Sequence, residues 1–173
     1  MAILKIAKMG HPILLEKAKK VDDPTSPKIK ALVNDMLDTL NDLGGSGVGL
    51  AAPQVHVSLQ VVIFETPNEN EQQNNPVKLI TLINPKIKNL TKNTETDWEG
   101  CLSVPGLRGK VTRPSKIKYS GYDLNGKKIE TIAEGFHARV VQHECDHLFG
   151  ILYPQRMKNL ESLQFVSEAR YWK

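Results

Sequence analysis

Residues 135–149 (GFHARVVQHECDHLF) leave this chain few ways to fold. At helical periodicity Phe136, Val140, His143 and His147 share one face, while Ala138, Val141, Cys145 and Leu148 share the adjacent one. A helix with so wide an apolar surface has to be enclosed by other elements. Gly150 supplies its stop. Residues 60–65 and 79–84 are rich in β-forming side chains, and residues 116–124 and 127–133 flank Asn125-Gly126, a strong signal for a two-residue hairpin. The expected fold class is α+β, with antiparallel sheets packed around a central helix.

A second helix is expected nearer the N-terminus. Ser26 reads as its N-cap and Pro27 as its first helical residue. Ile29, Leu32, Val33, Met36, Leu37 and Leu40 then recur at amphipathic spacing as far as about Leu43. Residues 68–76 (NENEQQNNP) read as an exposed loop, and residues 155–168 as a short terminal helix through Met157, Leu160, Leu163 and Phe165. No repeat or linker divides the 173 residues, so residues 1–173 are read as one catalytic domain.

Composition narrows the function classes. No apolar run approaches the roughly 20 residues of a membrane helix, and Met1-Ala2-Ile3-Leu4-Lys5-Ile6 lacks the pattern of a signal peptide. A cytoplasmic location is expected. Cys101 and Cys145 are too few for a disulfide framework and are available as thiols or thiolate ligands. A net charge of +4 without a dense basic cluster describes an ordinary solvated surface. It points to no direct DNA binding, and leaves room for an anionic partner such as ribosomal RNA.

Within the enclosed helix, His143-Glu144-Cys145-Asp146-His147 reads H-E-x-x-H. Histidines four residues apart reach one metal ion, and the intervening glutamate can act as general base toward a water on that ion. A catalytic metal generally takes three protein ligands and keeps one open position. The pattern H-E-x-x-H-x-x-G-x-x-H fails, because Tyr153 stands where its third histidine would be. Glu161 or Glu168 could serve on spacing alone, but both lie in a charged terminal segment. Cys101, within Glu99-Gly100-Cys101-Leu102-Ser103, offers a thiolate in a loop-like setting. Cys145 points to another side of the helix than the two histidines and reads as core packing.

A third stretch, Gly47-Val48-Gly49-Leu50-Ala51-Ala52-Pro53-Gln54, lets backbone approach a ligand closely and carries an amide, Gln54, that can donate to a developing oxyanion. It lacks the Lys-Ser/Thr ending of a P-loop. These three segments together resemble, in order and spacing, the signature motifs of peptide deformylases, whose forms are GxGLAAxQ, EGCLS and HExxH. The similarity extends over nearly the whole chain.

The resemblance implies a hydrolase that removes formate from the N-formyl-methionine of nascent bacterial and organellar polypeptides. It implies Cys101, His143 and His147 as metal ligands, Fe2+ as native ion, and Zn2+, Ni2+ or Co2+ as substitutes. Glu144 would move the proton, and Gln54 with the Leu102 N–H would stabilise the oxyanion. Gly49 would bind peptide through its backbone; Val48, Phe136, Val140 and His143 would border the methionine pocket. Arg108 would lie near the exposed peptide portion, and Glu99 would pair with Arg113 behind the Cys101 loop. Trp98, Arg139, Pro105-Gly106 and the cysteine of the pentad look closer to the plant and mitochondrial branch, and Arg139 is expected to narrow or polarise the pocket mouth. A bacterial cytoplasm and a transient ribosome contact are expected. The competing readings are a zinc endopeptidase using Glu168 and an inactive relative that captures formylated N-termini.

Overall fold

The computed structural model describes residues 2–44, 47–67 and 77–171; the loop expected over residues 68–76 lies outside them. Helix α1 spans Pro27–Asp42 and helix α2 spans Gly135–His147. Between them run β1 (Gly49–Ala51), β2 (Val61–Pro67), β3 (Val77–Asn89), β4 (Thr94–Cys101), β5 (Val104–Pro114), β6 (Lys116–Tyr122) and β7 (Lys128–Glu134). A short β8 (Gln164–Phe165) follows α2. Five strands form one antiparallel sheet in the order β1-β2-β3-β6-β7, and β4-β5-β8 form a second.

Strand β2 explains how the first sheet is used. Its side chains alternate between faces, and both faces are covered. Val62 and Phe64 pack with Ala138, Val141 and Cys145 of α2, whereas Val61 and Ile63 pack with Val33, Met36 and Leu40 of α1. Leu82 and Ile83 of β3 divide in the same way. All four β2 residues are fully buried, each worth about 1.5–3 kcal/mol relative to exposure. The sheet is therefore the middle layer between two helices, and α2 is held from its other side by β4 and β5.

Alternation within the smaller sheet carries chemistry. Glu99 and Cys101 are two apart on β4, and Val111 and Arg113 are two apart on β5, so each pair presents to one face. A register shift between Gly100 and Cys101 pairs Cys101 with Val104 and turns the chain sharply through Leu102 and Ser103. The N-terminal segment joins two distant pieces here: Ala7 N–H donates to Gln54 O at 2.7 Å and Met9 N–H to Ser103 O at 2.7 Å.

Helix α2 stops at Gly150, whose φ is +70°. Gly150 N–H donates to His147 O and Ile151 N–H to Asp146 O, which satisfies the last carbonyls. A Cβ at Gly150 would sit 2.5 Å from Leu15 O, so the close approach also requires glycine.

Three local expectations are corrected. Ser26 places no side-chain cap on α1; its hydroxyl donates to Asp23 O. The hairpin between β6 and β7 turns through a longer loop. The Asp123 carboxylate accepts Asn125 N–H and Lys127 N–H, and only Gly126 takes a positive φ. No α-helix forms over residues 155–168. Tyr153–Arg156 and Val166–Tyr171 are 3-10 segments, Asn159 caps Glu161 N–H, and β5 recruits Gln164–Phe165 as a strand. Backbone pairing with β5 outweighed the weak helical periodicity there.

Candidate active site

Helix α2 brings His143 and His147 to one face, with ring centroids 5.1 Å apart. The end of β4 brings Cys101 across from them. One donor atom from each of the three residues lies within 4.8 Å of the others. Cys101 Sγ is 3.4 Å from His147 Nε2, and receives Ser103 N–H at 3.4 Å and the Gln54 amide at 3.5 Å.

The electrostatics of this cluster suit a cation. Burial pulls the His143 pKa down, but bonds to Cys101 and Glu99, with the charge of Glu144, overcome that and push it up to about 10. A field that holds a proton this strongly also favours a metal ion. His147 is held well below its ordinary range by burial first and by His143 and Arg113 second, so it is a neutral imidazole. A cysteine sulfur and two histidine ring nitrogens match the donor set of a borderline-soft divalent ion.

Glu144 faces the same cleft. It is 5% exposed, and its Oε2 is buried with no hydrogen-bond partner among the described residues. Burial raises its pKa, opposed by His143 and reinforced by Glu99, to about 7. The chain makes room for it at Gly49: a Cβ there would lie 2.5 Å from Glu144 Oε1, 2.7 Å from Cδ and 2.8 Å from Cγ. Gln54 is aimed by its other end. Its Oε1 accepts Ala51 N–H at 2.9 Å, which turns Nε2 toward Cys101 and the Ser103 hydroxyl, 3.1 Å away.

Behind the ligands lies a buried ionic network. The Glu99 carboxylate takes Arg113 on both oxygens (2.6 and 2.9 Å), Arg139 on Oε1 (2.7 Å) and His143 Nδ1 on Oε2 (2.9 Å). Burial would raise the Glu99 pKa, but the Arg113 and His143 bonds outweigh it and hold the carboxyl well below the usual carboxylate range. Arg113 reaches on to Asp146 at 2.8 Å, which Arg156 grips with two bonds.

The cleft over this cluster has a volume of about 540 Å³. Val48, Gly49, Phe136 and Val140 line it together with Gln54, Cys101, Leu102, His143 and Glu144. The rim residues Val48 and Phe136 are 39% and 62% exposed, open to an apolar side chain. Leu102 lies in the β4–β5 turn, its carbonyl accepting Lys8 Nζ at 2.9 Å. Arg108 does not line the cleft; its guanidinium stacks 4.2 Å from the centroid of Trp98, which does. A larger depression of about 660 Å³ lies near Asp146, Phe149 and Arg156, and it contains none of the three donors.

Tyr153, which excluded the three-histidine pattern, stacks on His143 at 6.4 Å between ring centroids. Glu161 and Glu168 are exposed and outside the donor cluster. Cys145 is buried against the main sheet. Arg139 lines the cleft, as expected of a residue that polarises it, but it is 6% exposed and its guanidinium is turned onto Glu99. Ser103, Asp146 and Arg156 were not singled out by sequence. Asp146 stood inside the pentad, and Ser103 at the end of the Cys101 segment.

The Polypeptide deformylase family matches residues 3–163. The chain belongs to the peptide deformylase family. Peptide deformylase 1 of Nitrosomonas europaea is 49% identical over 167 residues, covering 95% of this chain and 93% of the relative. Peptide deformylase 1 of Bordetella pertussis is 53% identical over 162 residues, covering 93% and 91%. Among solved structures, a class I type b peptide deformylase from Acinetobacter baumannii with bound Met-Ala-Ser superposes with a TM-score of 0.80 at 37% identity, covering 90% of this chain and 99% of that one. Its fold is the same mixed architecture of antiparallel sheets and helices. Deformylases are metal-dependent hydrolases of protein biosynthesis that remove the N-formyl group from nascent peptides, and this is the activity of the chain. Among the described residues, no helix is long and apolar enough to cross a membrane.

Proposed function

We propose that Cys101, His143 and His147 hold the catalytic ion, that Glu144 is the proton carrier, and that residues 1–173 act as one catalytic domain. The observation that carries this reading is the Cys101–His143–His147 cluster, with Glu144 facing the same cleft and its Oε2 buried without a partner among the described residues. When bound, a divalent ion supplies Lewis acidity toward water and the formyl oxygen. Glu144 accepts a proton from the attacking water as the new C–O bond forms. The Gln54 Nε2–H and the Leu102 N–H donate to the oxygen on which negative charge builds. Glu144 then passes its proton to the amine nitrogen as the C–N bond breaks, leaving formate and a free N-terminus.

The methionine side chain is assigned to Val48, Phe136, Val140 and the His143 edge, with the peptide main chain along Gly49. Arg108, stacked on Trp98, is assigned to the more distal peptide. The Met-Ala-Ser complex of the Acinetobacter relative supports a peptide in this cleft. Fe2+ is proposed as native ion, with Zn2+, Ni2+ or Co2+ able to substitute, because a thiolate beside two imidazoles accommodates all four. The bacterial relatives support a bacterial cytoplasm, with transient access to nascent chains at the ribosome.

The test is formate release from formyl-Met-Ala by protein purified without oxygen and loaded with Fe2+ or Ni2+. Turnover that disappears in Glu144→Ala with metal retained, and metal lost in Cys101→Ala, is the expected pattern. Metal retention in Cys101→Ala would return the third ligand to a carboxylate and revive the endopeptidase reading.

A further inference from the structure

Arg139 is a buried cation that the reaction does not use directly. It lies on α2 one turn before His143. Its Nη1 donates to Glu99 Oε1 at 2.7 Å and to Val111 O at 2.9 Å, and its Nη2 donates to Glu95 O at 2.9 Å. A carboxylate offers about four acceptor positions. On Glu99, Arg113 and Arg139 together fill two on Oε1, and Arg113 fills one on Oε2. The remaining one is where His143 Nδ1 sits, at 2.9 Å.

We propose that Arg139 is a positioning residue for His143, acting through Glu99. Arg113 alone grips the carboxylate from another side chain, and it is also drawn toward Asp146. Arg139 is fastened to two main-chain carbonyls, so it refers the carboxylate to the backbone of β4 and β5. Its second bond on Oε1 fixes the carboxylate's rotation and leaves Oε2 with one lone pair, facing the imidazole. An ionised carboxylate can only accept, so His143 Nδ1 carries the hydrogen and Nε2 is the nitrogen turned to the ligand cluster. Because Arg139 and His143 share a helix face, the ligand and its positioning group move as one body.

This inference rests on Cys101, His143 and His147 being the metal site, and the experiment separates the two. Nickel-loaded full-length protein is titrated with a competing chelator, and thermal unfolding is followed in parallel. Arg139→Met should lower Ni2+ affinity by about ten- to a hundredfold, the range for loss of a group that orients a metal ligand. Arg139→Lys, which restores one charged bond to Glu99, should recover most of that affinity without recovering all of the thermal stability. In a Glu99→Gln background the Arg139→Met effect on affinity should vanish. If Arg139→Met does not fold, Arg139→Gln carries the same comparison.

Unchanged Ni2+ affinity in a folded Arg139 variant, with only the melting temperature lowered, would overturn the proposal and leave the arginine as a tie between α2 and the small sheet. An affinity loss that persists with Glu99→Gln would overturn it as well. Cys101→Ala is the control: if it keeps parental affinity, the metal-site reading has failed, and not this step alone.

Discussion

Replacing Gly49 by alanine should disable the site through Glu144 without touching a single ligand. The added Cβ would stand 2.5, 2.7 and 2.8 Å from three successive atoms of the Glu144 side chain. Ordinary contact begins near 3.4 Å, so the nearest atom has to retreat by about 0.9 Å. Turning the terminal carboxylate cannot clear it, because Cγ is struck as well as Oε1. The whole side chain must shift within a buried setting that, among the described residues, gives Oε2 no partner. A displacement of about 1 Å in a catalytic group costs about a hundredfold in rate, or about 2.7 kcal/mol of transition-state stabilisation. Formate release from formyl-Met-Ala should therefore show kcat reduced about a hundredfold, with KM changed far less, because alanine keeps the backbone that would hold the peptide. Metal content by atomic absorption should stay at one ion per chain. A Gly49→Ala enzyme within about threefold of parental kcat would refute the reasoning, as would a loss appearing wholly in KM.

Three further outcomes follow from the same geometry. Glu144→Gln should lose at least about a thousandfold in kcat. Ionising this buried carboxylate costs stability as pH rises from the ordinary carboxylate range through about 7; the variant should thus melt above the parent at pH 8, and a lower melting temperature there would contradict the burial argument. Glu99 carries the opposite sign. Its folded pKa is depressed, so its contribution is complete above the unfolded value of about 4.3 and is lost as pH falls through the lower folded value. Urea titrations between pH 6 and pH 3 should show the acid-side loss of stability flattened in Glu99→Gln; equal slopes would reject this. Gly150→Ala combines a positive φ with a main-chain clash at Leu15 O. It should cost about 1–3 kcal/mol, a fall of roughly 2–12 °C in Tm, and a shift under 1 °C would exclude the clash.

What could be read from the sequence was whatever repeats at short range. The 3.6-residue spacing marked both helices, and it drew Val140 and His143 to one side of α2. The run Val61–Val62–Ile63–Phe64 marked a strand, although periodicity could not show that its two faces serve two different helices. Three motifs in register were enough to gather Gln54, Cys101 and the histidines into one expectation. The misreadings came where a distant partner decides. Arg139 could be expected at the pocket from its place on the motif helix, but only β4 and β5 show that its guanidinium is spent on Glu99, Glu95 O and Val111 O. Residues 155–168 carry weak helical spacing, and the open edge of β5 takes two of them as a strand. At Asn125-Gly126, the Asp123 side chain competes for the amides that a tighter turn would have used.

The paired bonds from Ala7 to Gln54 and from Met9 to Ser103 fasten the amide-bearing stretch to the cysteine turn, while α2 arrives from far along the chain. The cleft is thus closed by contacts between residues about 45 to 95 apart in the sequence. Closing such long loops comes late and all at once, after local helices and hairpins are available. Turnover therefore reports the integrity of the entire circuit: loosening the first ten residues would silence the enzyme while most of its helix and sheet remained in place.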